Sequence, residues 1–222
     1  NNIGYPEAVA IADGLKTNTT LTVLNLNKNN IGPQGAIAIA DALYINTTLK
    51  EFNLRNNDIG PQGAIAIMTA LVNNTTLTTL DLSNNKIGDN EIMTESFIQN
   101  TTLTKLNISL NKIGVVGAKS IAKAFKKNTT LRKLDISWNN ISDDGTKEIA
   151  ELLINTKLDI LIISMNAIGI EGIKSISRAL KVNTTLKTLN IEFNDIGVIG
   201  AKVIAEALEI NTSLATIMLS YC

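Results

Sequence analysis

The sequence predicts an α/β solenoid of about eight repeats, each contributing one strand and one helix. Its strands are expected to form a parallel sheet on a concave face, with the helices on the convex face. Three observations predict it. The asparagine opening each N-T-x segment recurs at Asn18, Asn46, Asn74, Asn100, Asn128, Asn155, Asn183 and Asn211, at spacings of 28, 28, 26, 28, 27, 28 and 28 residues; a fixed period of this size marks stacked repeats. After each asparagine comes a strand pattern, Leu21-x-x-Leu24-x-Leu26-x-x-Asn29-x-Ile31 in the first full unit. The second half, Gly35-Ala36-x-x-Ile39-Ala40-x-Ala42-Leu43, spaces apolar residues as the inward stripe of an amphipathic helix. A helix occupies more width than a strand, so such a stack must curve into a horseshoe with the sheet inside.

Residues 1–16 read as the rear half of a unit, with Ala8, Ile11, Ala12 and Leu15 facing inward and Pro6 in the first helical turn. The units from Asn18 and Asn46 share the loop Ile-Gly-Pro-Gln-Gly at 31–35 and 59–63 and should stack regularly. The unit from Asn74 is two residues shorter, the shortfall falling between Gly88 and Asp89. Asp89 is expected to cap the helix there. Ile92, Met93 and Phe97 are bulkier than the Ala-rich set elsewhere, which predicts a local change in curvature and a candidate hinge. From Asn100 onward the helices carry more charge. Lys119, Lys147, Lys174 and Lys202 share the position held earlier by Val9, Ile37 and Ile65, and Lys123, Glu151, Arg178 and Glu206 follow four residues later. We read them as a solvated outer face with i,i+4 pairs of about 0.3 kcal/mol each, a basic docking strip being the alternative. Leu24, Leu26, Ile31, Ile39, Ala40, Leu43 and their counterparts form the expected core. The asparagines at 29, 57, 85, 111, 139, 166 and 194 follow each strand, where an amide can satisfy backbone groups buried by the turn.

The strand segment matches the leucine-rich-repeat pattern L-x-x-L-x-L-x-x-N/C-x-L in unit after unit. With a full helix per unit, the chain resembles the ribonuclease-inhibitor-like subfamily of these repeats, which includes NOD-like receptors and the Ran GTPase-activating protein. The resemblance extends over essentially all 222 residues. It implies a scaffold for partners rather than a particular chemistry.

Twenty Lys plus Arg balance twenty Asp plus Glu, so no global field draws the chain to nucleic acid or to an anionic membrane. No apolar run approaches the roughly 18 residues of a spanning helix. Cys222 is the single cysteine and cannot form an internal disulfide. That favours a reducing compartment, so a cytoplasmic location is expected. Against it stand ten N-x-S/T sequons, at Asn18, Asn46, Asn73, Asn74, Asn100, Asn107, Asn128, Asn140, Asn183 and Asn211. Most fall in the repeated N-T-T turn, where asparagine is expected to adopt a left-handed helix-ending conformation and threonine to start the strand. Residues 1–222 read as a single domain with one continuous core. Asn1-x-Ile3 matches Asn29-x-Ile31, Cys222 takes the slot of the strand-end asparagine, and neither end shows a polar capping unit. The expectation is therefore a portion of a longer protein.

With no histidine in the chain, the commonest general base and most zinc-site designs are missing. There is no phosphate-binding G-x-x-x-x-G-K-[ST] motif, and the I-G-x-x-G segments are assigned to loop geometry. Asp81 and Asp135 share a strand position two units apart, with Asn107 between. At about 4.8 Å per strand they lie roughly 10 Å apart, too far for the usual carboxylate pairs. No catalytic residue, cofactor, metal or small-molecule substrate is expected.

What remains is a surface. The position before each strand-end asparagine runs Lys28, Asn56, Asn84, Leu110, Trp138, Met165, Phe193 and Tyr221, changing from polar to large apolar at the fourth unit. Ile160, Ile162 and Met218 extend the apolar patch onto the sheet, where other units carry polar residues. Arg55 and Asp58 would supply orienting contacts in the polar half. Two readings are open: residues covering the edge of the core against the adjacent loop, or a ridge that binds another protein on the concave face. The resemblance suggests the sensor part of a NOD-like receptor, or a bacterial effector acting in the host cytosol. It also supplies a rival, a Ran-type activator of a small GTPase, with Arg55 the only arginine on the concave strand positions.

Overall fold

The computed structural model describes residues 3–89 and 94–222. Among them helices and strands alternate without exception: α1 (Tyr5–Thr17), β1 (Val23–Asn25), α2 (Gly32–Ile45), β2 (Glu51–Asn53), α3 (Gly60–Asn73), β3 (Thr79–Asp81), α4 (Thr94–Gln99), β4 (Lys105–Asn107), α5 (Gly114–Phe125), β5 (Lys133–Asp135), α6 (Ser142–Asn155), β6 (Ile160–Ile162), α7 (Ile170–Leu180), β7 (Thr188–Asn190), α8 (Gly197–Leu208) and β8 (Thr216–Met218). The strands form one parallel sheet in chain order. Its register keeps equivalent positions opposite each other, so that Leu80 pairs with Leu106 and Leu106 with Leu134. These central leucines and the helix residues Ile39, Leu43, Ile67 and Leu71 are buried in one continuous layer between sheet and helices. Leu24, expected in the core, is only partly buried because β1 is the edge strand.

Two asparagine ladders join the units. In the first, the strand-end asparagines satisfy groups of their own turn as expected and also reach the neighbouring unit, although Asn57 Oδ1 is buried without a hydrogen-bond partner among the described residues. Asn111 donates through Nδ2 to the carbonyls of Leu82, Ile108 and Ser109 at 2.9, 3.0 and 3.1 Å, and its Oδ1 accepts from Asn85 N–H at 2.8 Å and Ile87 N–H at 3.4 Å. Cys222 takes the same role at the end, its Sγ 3.2 Å from the Ile191 carbonyl. The second ladder corrects the sequence reading of the N-T-T turn. Asn46 has φ −68° and ψ 130°, an extended conformation rather than a left-handed one, and Asn18 and Asn74 match it. Its side chain does the work instead. Nδ2 donates to the carbonyls of Leu15 at 2.9 Å and Asn18 at 3.2 Å in the preceding unit, while Oδ1 accepts from the N–H groups of Thr48 and Leu49. The last carbonyls of a helix have no partner within it, and this amide supplies one. Asn155 leaves the ladder: it is exposed, the last residue of α6, and bonds back to the Glu151 carbonyl.

At the helix starts, the two glycines of I-G-x-x-G have different causes. Gly60 sits at φ +67°, as loop geometry predicts. Gly63 is helical, and a Cβ there would lie 2.6 Å from Ile59 Cγ2 and 2.7 Å from Ala36 Cβ; it is required by packing between helices, not by the loop. Carboxylates also reach across units. Asp143 Oδ1 accepts from Gly169 N–H at 2.7 Å and Gly172 N–H at 3.0 Å, and Asp89, expected to cap its own helix, accepts from Gly117 N–H in the first turn of α5 at 2.7 Å. Phe97 is fully buried and packs on Phe125 with ring centroids 4.9 Å apart. Ile92 and Met93, expected with it to alter the curvature, lie outside the described residues. On the outer face the i,i+4 partners Lys147/Glu151 and Lys202/Glu206 form no ion pair within 4 Å. Among the described residues, Lys174 pairs with Glu171 at 2.6 Å and Lys181 with Glu206 at 3.6 Å. These pairs are exposed to solvent and contribute little.

Candidate functional site

Strand alternation turns Leu106, Leu134, Leu161 and Leu189 into the core and leaves the residues on either side of each half-buried or exposed on the concave face. In register across the middle of this face, Asp81, Asn107, Asp135, Ile162, Asn190 and Met218 form one column, and Lys105, Lys133, Ile160 and Thr188 another. Ile160 and Ile162 are half-buried, so β6 gives the sheet an apolar centre between polar neighbours. Met218 is 38% exposed and accepts a contact from Asn190 Nδ2 at its sulfur. Asp81 and Asp135 are occupied in local turns: Asp81 Oδ1 accepts from Ser83 N–H, and Asp135 Oδ1 from the N–H and hydroxyl of Ser137. Asn107 Nδ2 bridges to Asp81 Oδ2 at 3.3 Å.

The ridge position has a property the sequence does not display. Lys28, Asn56, Asn84, Leu110, Trp138, Met165, Phe193 and Tyr221 all lie in the left-handed region, with φ between 52° and 59°. Their backbone is fixed by a ladder that continues the sheet: the N–H of Leu110 donates to Ser137 O, that of Trp138 to Ser164 O, that of Met165 to Glu192 O and that of Phe193 to Ser220 O, each at 3.0 Å. Successive ridge side chains are thereby held at strand spacing. Trp138 is 52% exposed, Phe193 43% and Tyr221 80%, while Leu110 and Met165 are half-buried. Phe193 and Tyr221 stack with centroids 4.7 Å apart and planes inclined by 10°. The signal that could have exposed this geometry is the pair Asn56 and Asn84, since asparagine is among the few non-glycine residues that tolerate a positive φ.

In the polar half, Asn84 Nδ2 donates to Asn56 Oδ1 at 2.7 Å. Asp58 pairs with Lys86 at 2.8 Å in solvent, and Arg55 is exposed with no ion pair within 4 Å among the described residues. A shallow concavity of about 290 Å³ lies over β1–β3, lined by Val23, Glu51, Asn53, Thr79 and Asp81. On the convex side a cleft of about 340 Å³ between α5 and α6 mixes Lys119, Lys123 and Lys126 with Glu148 and Glu151, so the lysines there face acids rather than forming a uniformly basic strip. Among the described residues no three His, Cys, Asp or Glu side chains converge as a metal site, and no helix is long and apolar enough to cross a membrane.

A family description, Leucine Rich repeat, matches the chain seven times, over residues 17–40, 46–68, 73–90, 99–122, 127–150, 155–177 and 182–205, which is most of its length. The chain belongs to the leucine-rich-repeat family. Solved structures of the same kind include the tropomodulin C-terminal domain of Caenorhabditis elegans, at TM-score 0.55 and 16% identity over 66% of this chain and 91% of that one. Another is the leiomodin-1 actin-binding site 2, at TM-score 0.40 and 19% identity over 92% of this chain and 90% of that one. At 16% identity the likeness to the tropomodulin domain is one of fold. No curated protein matches the sequence. The two asparagine ladders join the units, whereas the concave columns and the ridge keep half-buried and exposed side chains.

Proposed function

We propose that this chain is a protein-recognition module whose partner docks on the concave face against Leu110, Trp138, Met165, Phe193 and Tyr221, with Ile160, Ile162 and Met218 extending the contact onto the sheet. Arg55 and Asp58 serve as orienting contacts in the polar half. The backbone carries this reading. A left-handed conformation costs a bulky L residue about 1–2 kcal/mol and suits asparagine, which occupies the same turn at 56 and 84. A turn shaped for stability alone would keep asparagine. Half-exposed Trp and Phe side chains at that cost supply the aromatic area that dominates binding hot spots. Asp135 and Asn190 flank Ile162 in the sheet register, and Glu192 Oε2 accepts from Asn190 Nδ2 at 2.9 Å, so a partner presenting a cation beside an apolar side chain fits best.

The units are long, with helices of 11–14 residues in all but α4, which supports placing the chain in the ribonuclease-inhibitor-like subfamily. The setting we favour is the sensor region of a NOD-like receptor or a eukaryotic-like bacterial effector, working without cofactor or catalysis in the cytoplasm. The test is a partner captured from cell lysate and then titrated. Trp138→Ala and Phe193→Ala should each weaken binding by about 2 kcal/mol, roughly 30-fold, with the circular dichroism unchanged. Full affinity in Trp138, Met165 and Phe193 variants, with loss at Lys28, Arg55 and Asp58, would move the site to the polar half and end this reading.

A second reading rests on Arg55, exposed on the concave face without an ion pair among the described residues. An arginine supplied in trans stabilises phosphoryl transfer, as a Ran-type activator would require. Hydrolysis of GTP by candidate small GTPases, measured with and without the chain, decides it; no acceleration leaves the binding module alone.

A further inference from the structure

Most of the ten sequons coincide with the second asparagine ladder, and the ladder is what closes one unit on the next. Asn46, Asn74, Asn100, Asn128 and Asn183 are only 5, 3, 2, 7 and 6% exposed. The Nδ2 of Asn74 donates to Leu43 O at 2.8 Å and Asn46 O at 3.1 Å, and that of Asn128 to Phe97 O at 3.1 Å and Asn100 O at 2.8 Å. Asn100 donates to Leu71 O at 2.7 Å and Asn183 to Leu153 O at 2.6 Å. These amide hydrogens point into the preceding unit, not into solvent. By contrast Asn18, Asn73 and Asn140 are exposed and leave room for a bulky substituent.

N-linked transfer makes a bond between Nδ2 and C1 of the first sugar. It breaks the C1–oxygen bond to a lipid pyrophosphate, which leaves, and releases one proton from the amide. At a ladder asparagine that removes one of the two donors and sets an oligosaccharide where two units are packed together. The orphaned helix-end carbonyl stays buried without a partner, and the next unit has no room to stack. Transfer acts on the extended chain, where every N-T-T is open as an acceptor.

We infer that this chain reaches its native fold only in a compartment without N-linked oligosaccharide transfer, because the asparagines that would accept the sugar are those that join its units. The inference is independent of the ridge, and it places any partner in a non-glycosylating compartment as well.

The test is to express the full chain in eukaryotic cells with and without a cleavable signal for the endoplasmic reticulum. Occupancy at each sequon is read by peptide mass spectrometry and folding by protease resistance. The secreted form should carry sugar on ladder asparagines and lose its protease-resistant core; depleting the lipid-linked donor with an inhibitor should restore that core, as should Thr→Val at Thr48, Thr76, Thr102, Thr130 and Thr185 combined with Ser213→Ala, which frees the half-buried ladder residue Asn211 from its sequon too and spares the asparagines. Three results would overturn the idea: a protease-resistant chain glycosylated at any of the five, native folding in the lumen with all five left unmodified and no inhibitor present, or failure to fold there even when the donor is depleted.

Discussion

Single side chains in this molecule work across unit boundaries. Asn111 and Asn139 each use both amide functions on backbone groups of two units, and both are fully buried. Alanine at either position strands buried donors and acceptors and should cost about 1–3 kcal/mol; unchanged denaturation midpoints for both variants would refute the role. Trp138 makes the opposite case. At φ +57° and half exposed, it strains its turn more than asparagine would. Trp138→Asn should therefore raise stability by about 1 kcal/mol while weakening partner binding. A lower midpoint would mean that the indole packs on the core edge, the other reading of the ridge.

At the scale of elements, the helix starts show how closely neighbouring units approach. Gly63→Ala forces a methyl group onto Ile59 and Ala36 and should destabilise by about 1–3 kcal/mol. Gly14, in the interior of α1, has open space where a Cβ would stand, so Gly14→Ala should stabilise by about 0.4–1 kcal/mol. The pair is compared by chemical denaturation, and equal shifts of one sign would dismiss the packing argument. The same closeness explains why carboxylates serve helices other than their own. Asp143 lies beside the first turn of α7, and the positive end of that helix and its unpaired N–H groups favour a negative charge there.

For the whole molecule, helices and strands touch only their sequence neighbours among the described residues. Stability should then be a sum of unit and interface contributions. Removing residues 197–222 should lower the midpoint stepwise and leave the remaining units cooperative. A break introduced between β4 and α5 should instead divide the transition in two. A single unshifted transition after either change would show a coupling longer than nearest neighbours.

The amino-acid pattern alone determined the repeat, the alternation of strand and helix, the inward stripe and the strand-end asparagines as partners of buried turn groups, because repetition multiplies each local signal: Leu26, Leu54 and Leu82 report the same burial in unit after unit. It also singled out the ridge by its change from Asn84 to Leu110 and Trp138. Tertiary structure decided what the same residues touch. Asn46 bonds to groups 28 and 31 residues away, Asp89 reaches Gly117 at the same 28-residue separation, and Gly63 meets Ala36 of the previous helix. Hydrophobic periodicity records which face of an element is buried, whereas the partner opposite that face exists only once the units have stacked.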